Sequence, residues 1–451
     1  MSHWSTEAVF YHIYPLGLCG APRRNDFSAA PAARLEQLYP WLEHIQQLGA
    51  TALYLGPLFE SSAHGYDTAD YYWVDRRLGS NEALAAFSAE AHRRGLRLVL
   101  DGVFNHVGRS FWAFRDVQAN RQSSPYCDWF VNLRFDRPGP AGDYISYEGW
   151  NGHYDLVKLN LGNPQVREHL FGAVETWVRQ FDIDGLRLDT ADCLDFDFLR
   201  ALASFCCTLK PDFWLMGEVI HGDYRRWANP QMLDSTTNYE CYKGLWSSLN
   251  DGNYFEIAYA LNRQFGPGGL YRGLTLYNFV DNHDVDRAAS SLANPRHLFL
   301  LYAMLFSMPG APAVYYGSEW GAAGRRLNNS DLPLRPQLDL AAVAQRPPQP
   351  GFEQDIARLA HLRRATPALM HGSYEQLHMA ARQMAFLRQY GDQRLVAAFN
   401  SADEWVDLPL RLTGEGIMMD LLDPAGRFAL GGGAATVSLP PYSARWMQVE
   451  G

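Results

Sequence analysis

Three carboxylates sit where strand-length hydrophobic runs end: Asp189 closes GLRLD, Glu218 closes WLMGE, and Asp284 lies in NFVDNHD. Asp101, Asn105 and His106 in DGVFNH mark another such end, Arg187 stands two residues before Asp189, and His283 adjoins Asp284. Carboxyl groups gathered in one cleft can divide acid–base labour: an ionised one meets a cationic centre while a neutral one supplies a proton. Arg187 and Asp189, at i and i+2 of one strand, point the same way, so a permanent cation there favours the charged form of Asp189. A single strand-end carboxylate often does no more than cap the next helix. Three of them, with two histidines and an arginine at the same kind of position, imply a shared site.

Such a site needs strand ends that open on one face. Short β-branched and aromatic runs alternate with helical patterns, which is the signature of a parallel α/β fold. Candidate strands cover 10–14, 51–56, 96–104, 185–189, 214–219, 235–239, 275–280 and 312–316. A helix is expected over 81–95, with a polar start at Ser80/Asn81 and a stop at Gly95. The expected fold class is α/β: a (β/α)8 TIM barrel whose strand C-termini form one mouth. Residues 1–106 and 160–375 are assigned to the barrel. The irregular text of 107–159 (RQSSPYCDWF, RFDRPGPAGDY) is too long for an ordinary βα loop and predicts a small inserted subdomain after the third strand. Strand-length pieces from AFLRQY to ARWMQV predict a C-terminal antiparallel β-sandwich domain over 376–451, with GGG at 431–433 as a hairpin turn.

The 451 residues carry a formal charge of −10, which argues against nucleic-acid and anionic-membrane partners. The 6 cysteines show no CxxC or paired spacing, so neither a disulfide framework nor a zinc site is expected. No apolar run reaches the roughly 18 residues of a membrane span, and a cytoplasmic location is expected.

Taken in order, DGVFNH, GLRLDTADC, MGEV and FVDNHD resemble the sequence regions of the α-amylase family of glycoside hydrolases, with KLN at 158–160 and GAPAVYYGSE at 310–319 as further matches. The resemblance runs from HIYP at 12–15 into the C-terminal domain. It is nearest to the cyclomaltodextrinase, neopullulanase and maltogenic amylase group, through HGYDTADY, LVKLN and YEGWNG. It implies a retaining hydrolase of α-1,4 bonds in maltooligosaccharides, cyclodextrins or related α-glucans. In that reading Asp189 is the nucleophile, Glu218 the acid and Asp284 the third carboxylate, which favours distortion of the sugar ring. The resemblance further implies that His106 and His283 bind sugar hydroxyls, that Tyr66 is an aromatic platform, and that Arg187, Arg287 and Trp150 line the substrate site.

Several positions depart from the group's pattern. The chain begins directly at the barrel, where the group usually carries an N-terminal β domain. Asp192 and Cys193 stand where an Asn-Glu pair is usual, and Ile220 where an aromatic is frequent. Asn105 matches a calcium ligand of α-amylases, but Cys193 falls near another ligand position, so no metal or other cofactor is expected to be required. A glucanotransferase or an α-glucosidase would use the same carboxylates. A non-catalytic barrel of the transporter heavy-chain type is disfavoured, because the acids are in place and the membrane helix of such chains is not.

Overall fold

The computed structural model describes residues 3–328 and 330–450. Eight parallel strands form the barrel: β1 (Phe10–Ile13), β2 (Ala52–Leu55), β3 (Arg97–Gly102), β4 (Gly185–Leu188), β5 (Trp214–Gly217), β6 (Ser235–Thr236), β7 (Tyr277–Asn278) and β8 (Ala311–Tyr315). β1 lies between β8 and β2, with Phe10 opposite both Ala313 and Ala52, and a parallel bridge from Thr237 to Tyr277 closes the ring between β6 and β7. The strands are buried on both faces, which is why they read as nearly unbroken hydrophobic runs.

Alternation along the strands sorts those runs into two cores. Leu53, Leu98, Leu100, Leu186 and Leu215 face outward to the helices. Phe10, Ala52, Val99, Trp214, Tyr277 and Ala313 fill the interior, where small residues make room for large ones. Phe10 stacks on Trp214 at 4.9 Å between ring centres. Gly185 on β4 lets the neighbouring strand approach at Trp214, since a Cβ there would lie 2.5 Å from the Trp214 carbonyl oxygen and 3.0 Å from its Cβ.

The helix Asn81–Arg93 forms as expected: the Ser80 side chain accepts the Ala83 N–H, and Gly95 turns the chain at φ 78°. β6 and β7 are shorter than the runs 235–239 and 275–280 that predict them. Beyond the ladder, buried amides take over: Asn238 donates to Asn278 Oδ1 at 2.9 Å, and Asn278 donates to the Pro309 carbonyl at 2.7 Å. Two insertions rise at the C-terminal mouth. One is a hairpin of Phe59–Ser61 and Thr68–Val74 after β2, additional to the expected elements; the other is a three-stranded sheet of His106–Gly108, Gly149–Trp150 and His153–Lys158 after β3. The C-terminal domain is an antiparallel eight-stranded sandwich between Ser373 and Glu450. Met384, Phe386, Ala397 and Phe399 on one of its faces join the barrel's outer core, while Leu387, Val396 and Val437 build its own. Among the described residues no helix is long and apolar enough to cross a membrane.

The fit around Trp214 yields a stability test. Gly185→Ala should lower stability by about 1–3 kcal/mol through overpacking, whereas Gly431→Ala, with nothing within 4 Å of the added carbon, should change little. Thermal unfolding of the two variants against the parent checks the contrast.

Candidate active site

The alternation that places Phe10, Ala52, Val99 and Trp214 inside the barrel also decides what stands above them. Continuing in steps of two, His12, Tyr54, Asp101, Arg187, Asp189 and Glu218 face the mouth. Arg187 is the centre of this layer. Its Nη1 donates to Asp101 Oδ1 at 2.9 Å and to Asp189 Oδ1 at 2.8 Å, and its Nη2 lies 2.7 Å from Glu218 Oε2. All four side chains are buried.

Each carboxylate has a distinct second set of partners. Asp101 is held by the hydroxyls of Tyr54 at 2.9 Å and Tyr66 at 3.1 Å. Glu218 Oε2 also accepts the Thr190 N–H at 3.0 Å, and the Tyr239 hydroxyl donates to Oε1 at 3.4 Å. Thr190 reaches Glu218 from φ 43°, ψ 47°, a left-handed conformation that costs a β-branched residue about 1–3 kcal/mol. Asp189 Oδ2 has the Thr190 hydroxyl at 3.4 Å and His106 Nε2 at 3.9 Å. Asp284 pairs with His283 Nε2 at 2.9 Å and Arg335 Nη2 at 2.7 Å, and its side chain, 30% exposed, is the most open of the three acids.

These surroundings push the groups in different directions. Burial raises Asp189 well above the usual carboxylate range against the pull of Arg187, with Glu218 and Asp101 adding to the rise. Arg187 favours the charged form of Asp189, as expected, but the cation is shared among three carboxylates. Burial likewise raises Glu218, opposed by Arg187 and reinforced by Asp284. At Asp284 burial loses to His283 and Arg335, which hold the carboxyl far below its ordinary value. Burial pulls His106 down to about 3, so its imidazole is neutral at physiological pH.

The remaining flagged residues fall into two groups. Tyr66, carried by the hairpin after β2, stacks on His283 at 5.5 Å and its hydroxyl meets His283 Nε2. Trp150, on the small inserted sheet, lies 5.6 Å from His106 at the edge of the mouth. Arg287 stands apart. It is fully buried, donates to the carbonyls of Tyr316 at 2.6 Å and Leu334 at 3.0 Å, and lies over the Tyr315 ring at 4.1 Å. This structure thus uses Arg287 as a strut rather than as a lining group. Asn105 directs its amide to His106 Nδ1 at 3.1 Å. Among the described residues no group of three or more His, Cys, Asp or Glu side chains is arranged to hold a metal ion.

Four residues of the mouth went unflagged. His12 and Tyr54 were accessible by counting in twos from Phe10 and Ala52. Tyr239 and Arg335 come from segments after β6 and β8 with no periodic pattern to announce them. Arg335 lies over the Tyr14 ring at 4.7 Å and donates to the His283 carbonyl at 3.0 Å as well as to Asp284.

Residues 34–360 match the family model of the α-amylase catalytic domain, and residues 374–446 match that of the maltogenic amylase C-terminal domain. The chain is 28% identical to a cyclomaltodextrinase of Geobacillus thermopakistaniensis, over 97% of this chain and 76% of that protein. It is 32% identical to neopullulanase 2 of Thermoactinomyces vulgaris, over 89% and 70% of the two. Its structure is similar to that of a cyclic α-maltosyl-(1→6)-maltose hydrolase from Arthrobacter globiformis in complex with that saccharide, with TM-score 0.81, 28% identity and 99% of each chain covered. With a catalytic-domain match across most of its length and the acids of its barrel gathered on one guanidinium, the chain belongs to the α-amylase family of glycoside hydrolases.

Proposed function

We propose that this enzyme hydrolyses α-1,4-glucosidic bonds of maltooligosaccharides and cyclodextrins with retention of configuration, through a covalent intermediate on Asp189. The observation that carries the reading is the single guanidinium reaching both Asp189 and Glu218. Carboxyls held that closely suit the spacing of about 5–5.5 Å of retaining enzymes rather than the wider gap that admits a water in inverting ones.

The hydrogen bonds assign a task to individual oxygens. Glu218 Oε2 is occupied by Arg187 and the Thr190 N–H, so Oε1 carries the proton that goes to the leaving glycosidic oxygen. Asp189 Oδ1 is occupied by Arg187, so Oδ2 attacks the anomeric carbon. As the proton leaves, the new charge on Glu218 is met by Arg187, Thr190 and Tyr239; Glu218 then accepts a proton from the water that releases the sugar. Asp284, anionic beside Arg335, binds hydroxyls of the ring that flattens in the transition state. His106, its imidazole neutral, and His283 hydrogen-bond that same sugar, Tyr66 stacks beneath it, and Trp150 extends the wall.

Asp189 and Glu218 both titrate upward and share one cation, so the pair behaves as a coupled unit holding one proton in the active state. Six free cysteines suit a reducing compartment, and the proposal places the enzyme in the cytoplasm.

Chromatography of products from maltoheptaose, β-cyclodextrin, pullulan and starch tests the substrate class. Maltose and glucose as end products support it, products longer than the substrate would indicate a transferase, and inertness toward all four would refute it. Asp189→Asn should lower kcat by about 10⁴-fold or more while circular dichroism stays unchanged; near-normal hydrolysis would sink the nucleophile assignment. Glu218→Gln should abolish glucan cleavage yet keep substantial activity on an aryl α-maltoside whose leaving group needs no proton.

Arg187→Gln addresses the charge balance. Without the cation, which opposes the rise at both groups, the folded-state pKa values of Asp189 and Glu218 move still further above their unfolded values. A raised carboxylate pKa costs stability above it and nothing once pH is below the unfolded value. The variant should therefore lose about 3–5 kcal/mol at neutral pH and recover part of that deficit as pH falls toward 4, read by denaturant unfolding across pH.

A further inference from the structure

Tyr66 sits in a turn that its own strands fix poorly. The hairpin after β2 has a three-residue outgoing strand, and its register shifts between Phe59 and Glu60 and again between Glu60 and Ser61. Between the strands the turn closes on itself: the Ser62 N–H donates to the Asp67 carbonyl at 3.3 Å, the His64 N–H donates to Asp67 Oδ1 at 3.1 Å, and Gly65 turns the chain at φ 88°. Yet the Tyr66 ring is closely placed, parallel to within 10° of His283, with its hydroxyl on Asp101 at 3.1 Å. An irregular ladder of this kind needs support from outside itself.

Arg77 provides it. Arg77 and Asp75, just past the return strand, are both buried. Arg77 grips Asp75 with two parallel bonds, Nε to Oδ1 at 2.9 Å and Nη2 to Oδ2 at 2.6 Å. Nη1 donates to the carbonyls of Pro22 at 3.0 Å and Ala63 at 2.7 Å, and Nη2 also donates to Ser61 Oγ at 2.8 Å. A guanidinium has five N–H donors, and these bonds occupy every one. Asp75 is equally engaged: it accepts the Ser61 N–H at 3.2 Å, the Ser61 hydroxyl at 2.9 Å and the Arg77 N–H at 3.0 Å.

The acceptors belong to three segments: Pro22 to the loop after β1, Ser61 and Ala63 to the outgoing arm of the hairpin, and Asp75 to its return. Ala63 leads directly into the turn. Its neighbour His64 is held as well, its carbonyl accepting the Tyr14 hydroxyl at 2.7 Å, and Tyr14 lies parallel to within 13° of the His283 ring at 5.9 Å. Two successive carbonyls, one on Arg77 and one on Tyr14, therefore anchor the turn immediately before Tyr66.

We propose that Arg77 is a positioning residue for the substrate site: by tying Ser61 and Ala63 to Asp75 and Pro22, it fixes the turn that carries the Tyr66 ring. The proposal rests on the reading of Tyr66 as the platform beneath the sugar. Arg77 has no donor left for a sugar hydroxyl, so it acts only through the turn. The requirement is for a fork rather than for a charge. Lysine at this position keeps a cation beside Asp75, but its three donors sit on one atom and cannot span acceptors in three segments.

The test compares Arg77→Lys, Tyr66→Ala and the double variant by kcat and KM on maltoheptaose, at a temperature well below each Tm and with circular dichroism as a check of fold. Arg77→Lys should lower kcat/KM by about 10-fold or more, chiefly in kcat, because a tilted platform fails the flattened ring of the transition state more than the resting sugar. In the Tyr66→Ala background the same change should cost less than about twofold, since no platform is left to misplace. Ser61→Ala removes the hydroxyl that links Arg77 to Asp75; it should repeat the pattern at smaller amplitude and carries the test if Arg77→Lys does not fold. A lowered Tm with normal turnover below it, or an equal loss in the parent and Tyr66→Ala backgrounds, would overturn the proposal. Near-parental turnover by Tyr66→Ala alone would instead sink the platform reading, and the role of Arg77 with it.

Discussion

A buried cation shared among three buried carboxylates is the constraint around which the mouth of this barrel is arranged. Arg187 touches Asp101, Asp189 and Glu218 at once. Removing three acids from water is tolerable only when charge and hydrogen bonds are returned to them. Arg187 returns charge, and the hydroxyls of Tyr54 and Tyr66 and the Thr190 N–H return hydrogen bonds. The supply is deliberately short in electrostatic terms: one positive charge faces three acids, so a proton is retained, which is what a site needing one acid and one anion requires. A second arginine in the same layer would ionise both partners and remove the donor.

Asp284 shows the opposite balance from the same residue type. It is reached by His283 and Arg335 and keeps an open edge, so it stays anionic where Glu218 does not. The difference originates in the scaffold. Glu218 emerges directly from a barrel strand and inherits the dry interior. Asp284 lies several residues past β7, on a loop free to meet a cation from the loop after β8. Environment rather than residue type thus separates the roles.

The barrel was legible in the sequence because its strands, buried on both faces, are written as apolar runs punctuated by helices with ordinary caps. The three acids were legible because such runs end on them. What escaped was whatever depends on segments without a period. The hairpin bearing Tyr66 pairs the three-residue strand Phe59–Ser61 with the longer Thr68–Val74, and its register slips within a few residues, so no clean alternation announces the pair. Tyr239 and Arg335 reach the mouth only through the tertiary fold. The ladders of β6 and β7 were overdrawn because a buried Asn238–Asn278 amide pair continues the contact that backbone pairing begins.

Arg287 and Arg335 illustrate why residue type alone could not settle the substrate wall. Both are arginines beside tyrosines near the end of the barrel, and the motif around Asp284 drew attention to the first. Yet Arg287 spends its guanidinium on backbone carbonyls, among them that of Leu334, which also accepts the Tyr315 hydroxyl at 3.1 Å. From the other side the chain presses closely: a Cβ on Gly17 would lie 2.4 Å from the Arg335 carbonyl oxygen. The residue before Arg335 is therefore pinned by two donors, and its own backbone is packed against a position that tolerates no side chain. The charge that reaches Asp284 is held by a loop whose shape the buried arginine enforces, so the two arginines serve one carboxylate, the first by fixing geometry and the second by contact.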